Sequence, residues 1–215
     1  MSTRTFGTRV QRNADPKFLK GEGSFTDDIP LEGVLHSAFV RSPFARAKIK
    51  NIDTSKAEQL SGVYAVYTCE NIGELDIELP LLIPHPSMKD GRTQRPLARD
   101  DVFYVGQTVA MVVAKDRYTA EDACLLIDID YETMEVEISI EEAVKDGAPL
   151  VHATHPNNIA ADFTQICGEP EQYINEAEHV TKIRVKVERS TSAAMECRTV
   201  AAIFDNVSGT LTVWD

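Results

Sequence analysis

The sequence predicts an α+β fold, and three adjoining observations carry the prediction. Residues 102–114 are dense in Val, Tyr and Phe, with Gly106 as the sole break, which is strand composition. From Lys115 to Tyr118 the pattern shifts from a period of two to about 3.6, the spacing of a helix. Ile127, Ile129 and Tyr131 then alternate with Asp128, Asp130 and Glu132, the signature of a half-buried strand. The run from Arg95 to Asp130 thus reads as a βαβ-like unit with almost no linker. It contains no obvious catalytic group.

The other elements follow in order. Residues 1–20 are polar and basic and read as irregular, and Gly21, Gly23, Asp27, Asp28 and Pro30 make a turn-rich stretch. Residues 34–41 alternate as a strand, Ser42-Pro43 break it, and residues 45–52 read as its return partner. Asp53-Thr54-Ser55 offers an N-cap for a short helix through Leu60, and residues 63–68 form a strand. Residues 71–94 are a long loop with Leu81, Leu82 and Ile83 between Pro80 and Pro84. Loops of this length in compact domains are usually functional or disordered, and the apolar group argues against plain disorder. The loop therefore reads as one that packs on something, such as a partner domain.

Residues 138–146 suit a short helix capped by Ser139 and stopped by Gly147. Residues 169–177 suit another, with Pro170 in its first turn. Residues 180–188 alternate strongly, and residues 199–204 and 210–214 predict a hairpin. Mixed elements give way to mostly β-segments near residues 147–158, which places a domain boundary there. The chain stops at Asp215 directly after a strand, as a cut through a larger architecture would leave it, and exposed strand edges favour self-association.

Composition narrows the function classes. The 215 residues are 43% hydrophobic and 26% charged, ordinary for a globular protein. The net charge of −12 argues against a nucleic-acid partner, because phosphate neutralisation needs clustered Lys and Arg. No apolar run approaches the roughly 20 residues of a membrane helix. Arg4 and Arg9 have no apolar stretch behind them, so no secretory signal is read. Cys69, Cys124, Cys167 and Cys197 form no Cys-x-x-Cys, which fits free thiols in the cytoplasm rather than a zinc or iron–sulfur site.

Gly21-Glu22-Gly23 begins like a dinucleotide fingerprint, but Thr26 stands where the third glycine belongs, so a turn is preferred. His152 and His155 fall in a loop before Pro156 and read as loop histidines rather than metal ligands. Cys124 shares a helical face with Ala120 and Ala123 and reads as a buried thiol. Glu121, Asp122, Asp128, Asp130, Glu132, Glu135 and Glu137 read as solvated faces. Arg41-Ser42-Pro43 is a turn, with an anion-binding Arg41 as the alternative. No residue is assigned to catalysis, cofactor binding or metal ligation.

Three segments carry a resemblance: KGEGSFTDDIPLEGVLHSAFVRSPFARAKIKNIDTSKAEQLSGVYAVYT, RPLARDDVFYVGQTVAMVVAKDRYTAEDACLLIDIDYE and GAPLVHATHPNNIA. Together with MECRTVAAIFDNVSGTLTVWD, their order and spacing resemble the N-terminal part of the molybdopterin-binding large subunit of the xanthine dehydrogenase, aldehyde oxidase and carbon monoxide dehydrogenase family. The resemblance implies an N-terminal segment at residues 1–16, an α/β hammerhead domain at 17–148, and the truncated start of a molybdopterin-binding domain at 149–215. It implies a complete enzyme that hydroxylates aldehydes or N-heterocycles with water-derived oxygen, or oxidises carbon monoxide. Its partners would be the remainder of the large subunit, iron–sulfur and flavin domains or subunits, and a small-molecule substrate.

The molybdenum-site segments of the family lie beyond this chain, so the resemblance implies no cofactor on the chain alone. It does place Leu81, Leu82 and Ile83 near a substrate funnel. One departure stands out: Cys197, between Met195-Glu196 and Arg198, occupies a position where the family commonly has proline. A stand-alone interaction or assembly module that has lost catalysis is the alternative reading.

Overall fold

A computed structural model describes residues 7–89, 93–188, 190–194 and 197–215. The readings placed on residues 1–6 and on Met195-Glu196 lie outside these. The chain divides into two compact units, Val34–Val180 and a second made of Thr181–Asp215 with the stretch up to Gly33.

Among the described residues, the larger unit holds six strands in two sheets. They are β1 (His36–Arg41), β2 (Ala47–Asp53), β3 (Val63–Tyr67), β4 (Asp101–Val102), β5 (Thr108–Ala114) and β6 (Asp128–Thr133). One sheet has the order β1-β5-β3 and the other β4-β2-β6, and every pairing is antiparallel. The chain thus deals its strands alternately to the two sheets.

β5 is central to its sheet, and both of its faces are used. Its Ala110, Val112 and Ala114 pack with Val66, Ala57 and the helix α3 (Arg117–Cys124). Its Val109 turns the other way, into a cluster with Ala47, Ala98 and Val102 that reaches the second sheet. In α3, Ala120 and Ala123 are fully buried, so small side chains bring the helix close to the sheet. Asp116 caps this helix, its carboxylate accepting from the Thr119 N–H at 2.8 Å. A larger residue at Ala120 would overpack the interface, at a cost of about 1–3 kcal/mol.

The fold departs from the sequence expectations at four points. Residues 102–114 are not one strand. Residues 103–107 form a turn in which Gly106 has φ 92° and the buried Gln107 accepts from the Phe103 N–H at 2.7 Å. That turn sends β4 and β5 to different sheets. The run is consequently not a parallel βαβ unit, since β5 and β6 also sit in different sheets. β2 is not the return partner of β1, which pairs with β5 instead. Between them the Ser42 hydroxyl accepts from the Phe44 N–H at 3.0 Å, while the Ser42 main chain exchanges hydrogen bonds of 2.8 Å with Gly106 and Gln107. Lastly, residues 181–188 form no strand. Ile183, Val185 and Val187 are 79%, 71% and 84% exposed, and alternation without a neighbouring edge makes no ladder.

Shorter helices complete the architecture: α1 (Asp15–Leu19), in a stretch read as irregular, α2 (Ser55–Glu58), α4 (Ile140–Ala143) and α5 (Pro170–Glu176). Ser139 caps α4 as read, accepting from the Glu142 N–H. In the smaller unit β7 (Ala201–Asp205) and β8 (Thr210–Trp214) form the predicted hairpin. Its turn is closed by the Asp205 carboxylate, which accepts from the Val207 N–H and the Ser208 hydroxyl at 2.9 and 2.6 Å.

Candidate functional site

The long loop after β3 is tied back to the rest of the larger unit at two places. It leaves the first sheet after β3, makes a 3-10 turn at Gly73–Leu75 and reaches Asp76. The Asp76 side chain is only 7% exposed and meets two arginines from the far end of the loop. Arg99 donates to its Oδ2, and Arg95 Nη1 lies 3.2 Å from Oδ1 while donating to the Asp76 carbonyl. Just beyond, the Leu79 N–H donates to the Gln94 carbonyl at 3.0 Å, and the Thr93 hydroxyl donates to the Leu79 carbonyl. The Tyr104 hydroxyl donates to the Gln94 side chain.

A second anchor holds the loop further along. Met88 pairs with Ala161 as an isolated bridge, and the Lys89 N–H donates to the Ala160 carbonyl at 2.9 Å. The His85 ring lies 5.8 Å from that of Phe163. Between the anchors stands the tip, Pro80 to Pro84. Leu81 is half-buried, whereas Leu82 and Ile83 are 90% and 81% exposed. Proline at both ends fixes φ near −65° and restricts the residues before it, so the tip is stiff as well as anchored. The three apolar residues singled out from sequence therefore sit together on one held arm.

Sequence reasoning missed the neck. Asp76, Arg95 and Arg99 are single charges in a sequence rich in them, and only the fold brings position 76 to position 95. Two arginines flanking the Pro96-Leu97-Ala98 segment were the sole available signal.

The other candidates are placed elsewhere. Arg41 donates to the Gly106 carbonyl at 2.9 Å and so braces the turn between the sheets. His152 and His155 share a loop turn, with the His152 ring 4.5 Å from Phe103. The acidic residues of α3, β6 and the segment after it are exposed, apart from a half-buried Glu137. Cys124 is half-buried rather than buried, and Cys69 is the buried thiol at 6% exposure. Burial pushes both thiols up from their ordinary value, which keeps them protonated and unreactive. Beside Cys69, an open polar recess is lined by Lys50, Asn51, Thr68 and Arg99.

The described residues include no group of three or more His, Cys, Asp or Glu able to hold a metal. Residues 161–188 are exposed throughout, and the hollow on the β7–β8 hairpin is shallow and open. None of the described helices is long and apolar enough to cross a membrane.

Comparison with known proteins follows from this architecture. Residues 20–135 match the model for the aldehyde oxidase and xanthine dehydrogenase a/b hammerhead domain, and residues 151–215 match that for a molybdopterin cofactor-binding domain. The chain is 34% identical over 208 residues to the nicotine 6-hydroxylase large subunit of Paenarthrobacter nicotinovorans, covering 97% of this chain and 25% of that one. It is 35% identical to the carbon monoxide dehydrogenase large chain of Afipia carboxidovorans, covering 97% and 27%. Among solved structures, quinoline 2-oxidoreductase from Pseudomonas putida 86 superposes with a TM-score of 0.85 at 31% identity, over 97% of this chain and 26% of that one. The chain therefore spans about a quarter of the length of these relatives, and its matched molybdopterin domain is partial. Its mixed α/β elements, antiparallel sheets and 116-residue hammerhead match (135 − 20 + 1) lead to one conclusion: the chain belongs to the aldehyde oxidase and xanthine dehydrogenase family.

Proposed function

We propose that the chain is the non-catalytic N-terminal portion of a molybdenum hydroxylase large subunit and acts only with the remainder of that subunit. The complete enzyme hydroxylates an aldehyde or N-heterocycle, or oxidises carbon monoxide, and passes electrons to iron–sulfur and flavin domains or subunits. Residues 17–148 serve as its hammerhead domain and residues 149–215 open its cofactor domain. Molybdopterin is held by the complete subunit and not by this chain alone. One observation carries the reading: 97% of the chain aligns with a quarter of a large subunit. Four free cysteines support work in the cytoplasm.

Within that enzyme, Leu81, Leu82 and Ile83 form part of the wall along the substrate path. Two leucine-class side chains held out in water on an anchored arm support this, because burying each against a partner or ligand gains about 1.5–3 kcal/mol.

Co-purification with the remainder of the subunit tests the first reading. Molybdopterin content and turnover are expected only in the assembled protein. An isolated chain that binds the cofactor and oxidises an aldehyde or purine refutes the dependence. For the wall, the double change Leu82→Ser and Ile83→Ser is expected to raise KM several-fold at unchanged kcat. An unchanged KM removes the tip from the substrate path.

A further inference from the structure

We infer that Asp76 is the positioning residue of the 80–84 tip. The inference deepens, and rests on, the reading that this tip lines the substrate path.

Exposed Leu82 and Ile83 gain by folding back onto apolar neighbours, so something must hold them out. The second anchor, at Met88 and Lys89, fixes only the outgoing side of the tip. The incoming side is fixed at the neck. There Arg99, 23 residues further along the chain, donates to the carboxylate, and Arg95, 19 residues along, lies 3.2 Å from it while donating to the Asp76 carbonyl. Because that carboxylate is 7% exposed while Arg95 and Arg99 are 35% and 47% exposed, it is the inner member of the trio. Both arginines pair with it, and Arg95 directly follows Gln94, whose carbonyl accepts from the Leu79 N–H. Removing either arginine leaves the carboxylate one partner, whereas removing its charge ends both ion pairs and leaves two like charges adjacent, with only the Arg95 bond to the Asp76 carbonyl remaining. Asp76 thus controls where the backbone stands three residues before Leu79 and four before Pro80.

Hydrogen exchange on the chain tests this, with the Leu79 amide reading the neck, Lys89 the second anchor and Val112 the core of β5. Asp76→Asn keeps the shape and removes the charge. It is expected to speed exchange at Leu79 about tenfold, the scale of a lost charge-assisted hydrogen bond, with Lys89 and Val112 unchanged. Asp76→Glu restores part of the protection, and Arg99→Gln gives a smaller increase than Asp76→Asn. An unchanged Leu79 rate, or equal acceleration at Val112, overturns the inference.

In the assembled enzyme, Asp76→Asn is expected to raise KM at unchanged kcat, the same outcome as expected for the tip variants. If Leu79 exchange accelerates while KM stays constant, the neck clamp stands and the substrate-path reading falls.

Discussion

Arg46 offers the sharpest test of how β2 and β4 are held together in the second sheet. It is 5% exposed, yet carries a full charge. Three successive residues surround its guanidinium: Asp101 with Oδ2 at 3.4 Å, the Val102 carbonyl at 3.5 Å and the Phe103 ring at 4.7 Å. Among the described residues its Nε–H finds no acceptor. At an effective dielectric of about 20, charges at this separation attract by roughly 5 kcal/mol. Asp101 retains 29% of its side-chain exposure, and desolvating Arg46 opposes the gain. A coupling of about 1–2 kcal/mol remains.

Asp101→Asn should therefore cost about 1–2 kcal/mol, because it strands a buried cation. Arg46→Met should cost less than about 1 kcal/mol, since a similar apolar volume replaces the charge. In the Arg46→Met background, Asp101→Asn should cost no more than about 0.5 kcal/mol. Urea unfolding followed by far-UV circular dichroism measures the cycle. Fluorescence is the wrong probe, because the one tryptophan, Trp214, lies in the β7–β8 hairpin of the other unit. Equal costs of Asp101→Asn in both backgrounds would refute the ion-pair account.

Three further outcomes are expected. Gly106→Ala meets open space but must hold φ 92°, so it should destabilise by about 1 kcal/mol through the backbone alone, seen as a lower urea midpoint at unchanged slope. Alkylation at neutral pH should label the exposed Cys167 and Cys197 first and Cys69 last, with mass spectrometry following the order; early labelling of Cys69 would contradict its burial. The exposed pair Lys50–Glu132 holds the Glu132 carboxyl below its ordinary value and Lys50 above its own. Its small contribution is present between those ordinary values, and fades as pH falls through the lowered carboxyl or rises through the raised amine. Glu132→Gln should flatten the acid limb of stability against pH, and high salt should remove the difference.

Much of the element pattern was legible because it is local. The alternation of Ile127, Ile129 and Tyr131, the cap Ser139, and the Asp205–Gly209 turn all depend on residues within one or two turns of each other. Pairing was not legible. β1 and β2 look like a hairpin because nothing in their side chains states that Ser42 bonds to Gln107 instead. Likewise Val102 and Val109 belong to one apolar run but arrive in different sheets, and only the Gly106–Gln107 turn divides them. The strand expected at residues 180–188 failed for the opposite reason: a pattern suited to an edge has no edge beside it. On the arm, Leu81 to Ile83 stood out as apolar residues between prolines, whereas their support at Asp76 is a contact across the chain.

The alternate dealing of strands has a kinetic consequence. No two neighbours in the two sheets are joined by a hairpin, and the nearest register pair, Tyr67 with Met111, is 111 − 67 = 44 residues apart. Loop-closure entropy must be overcome before any ladder rewards it, which places folding among slow, high-contact-order proteins. During synthesis β1, β2 and β3 emerge with no partner to receive them. The first sheet has nothing to close on until β5 leaves the ribosome, and by then roughly half of the 215 residues are already exposed. Neither sheet can be excised as an independent folding unit, so a proteolytic cut between β3 and β5 would strand both.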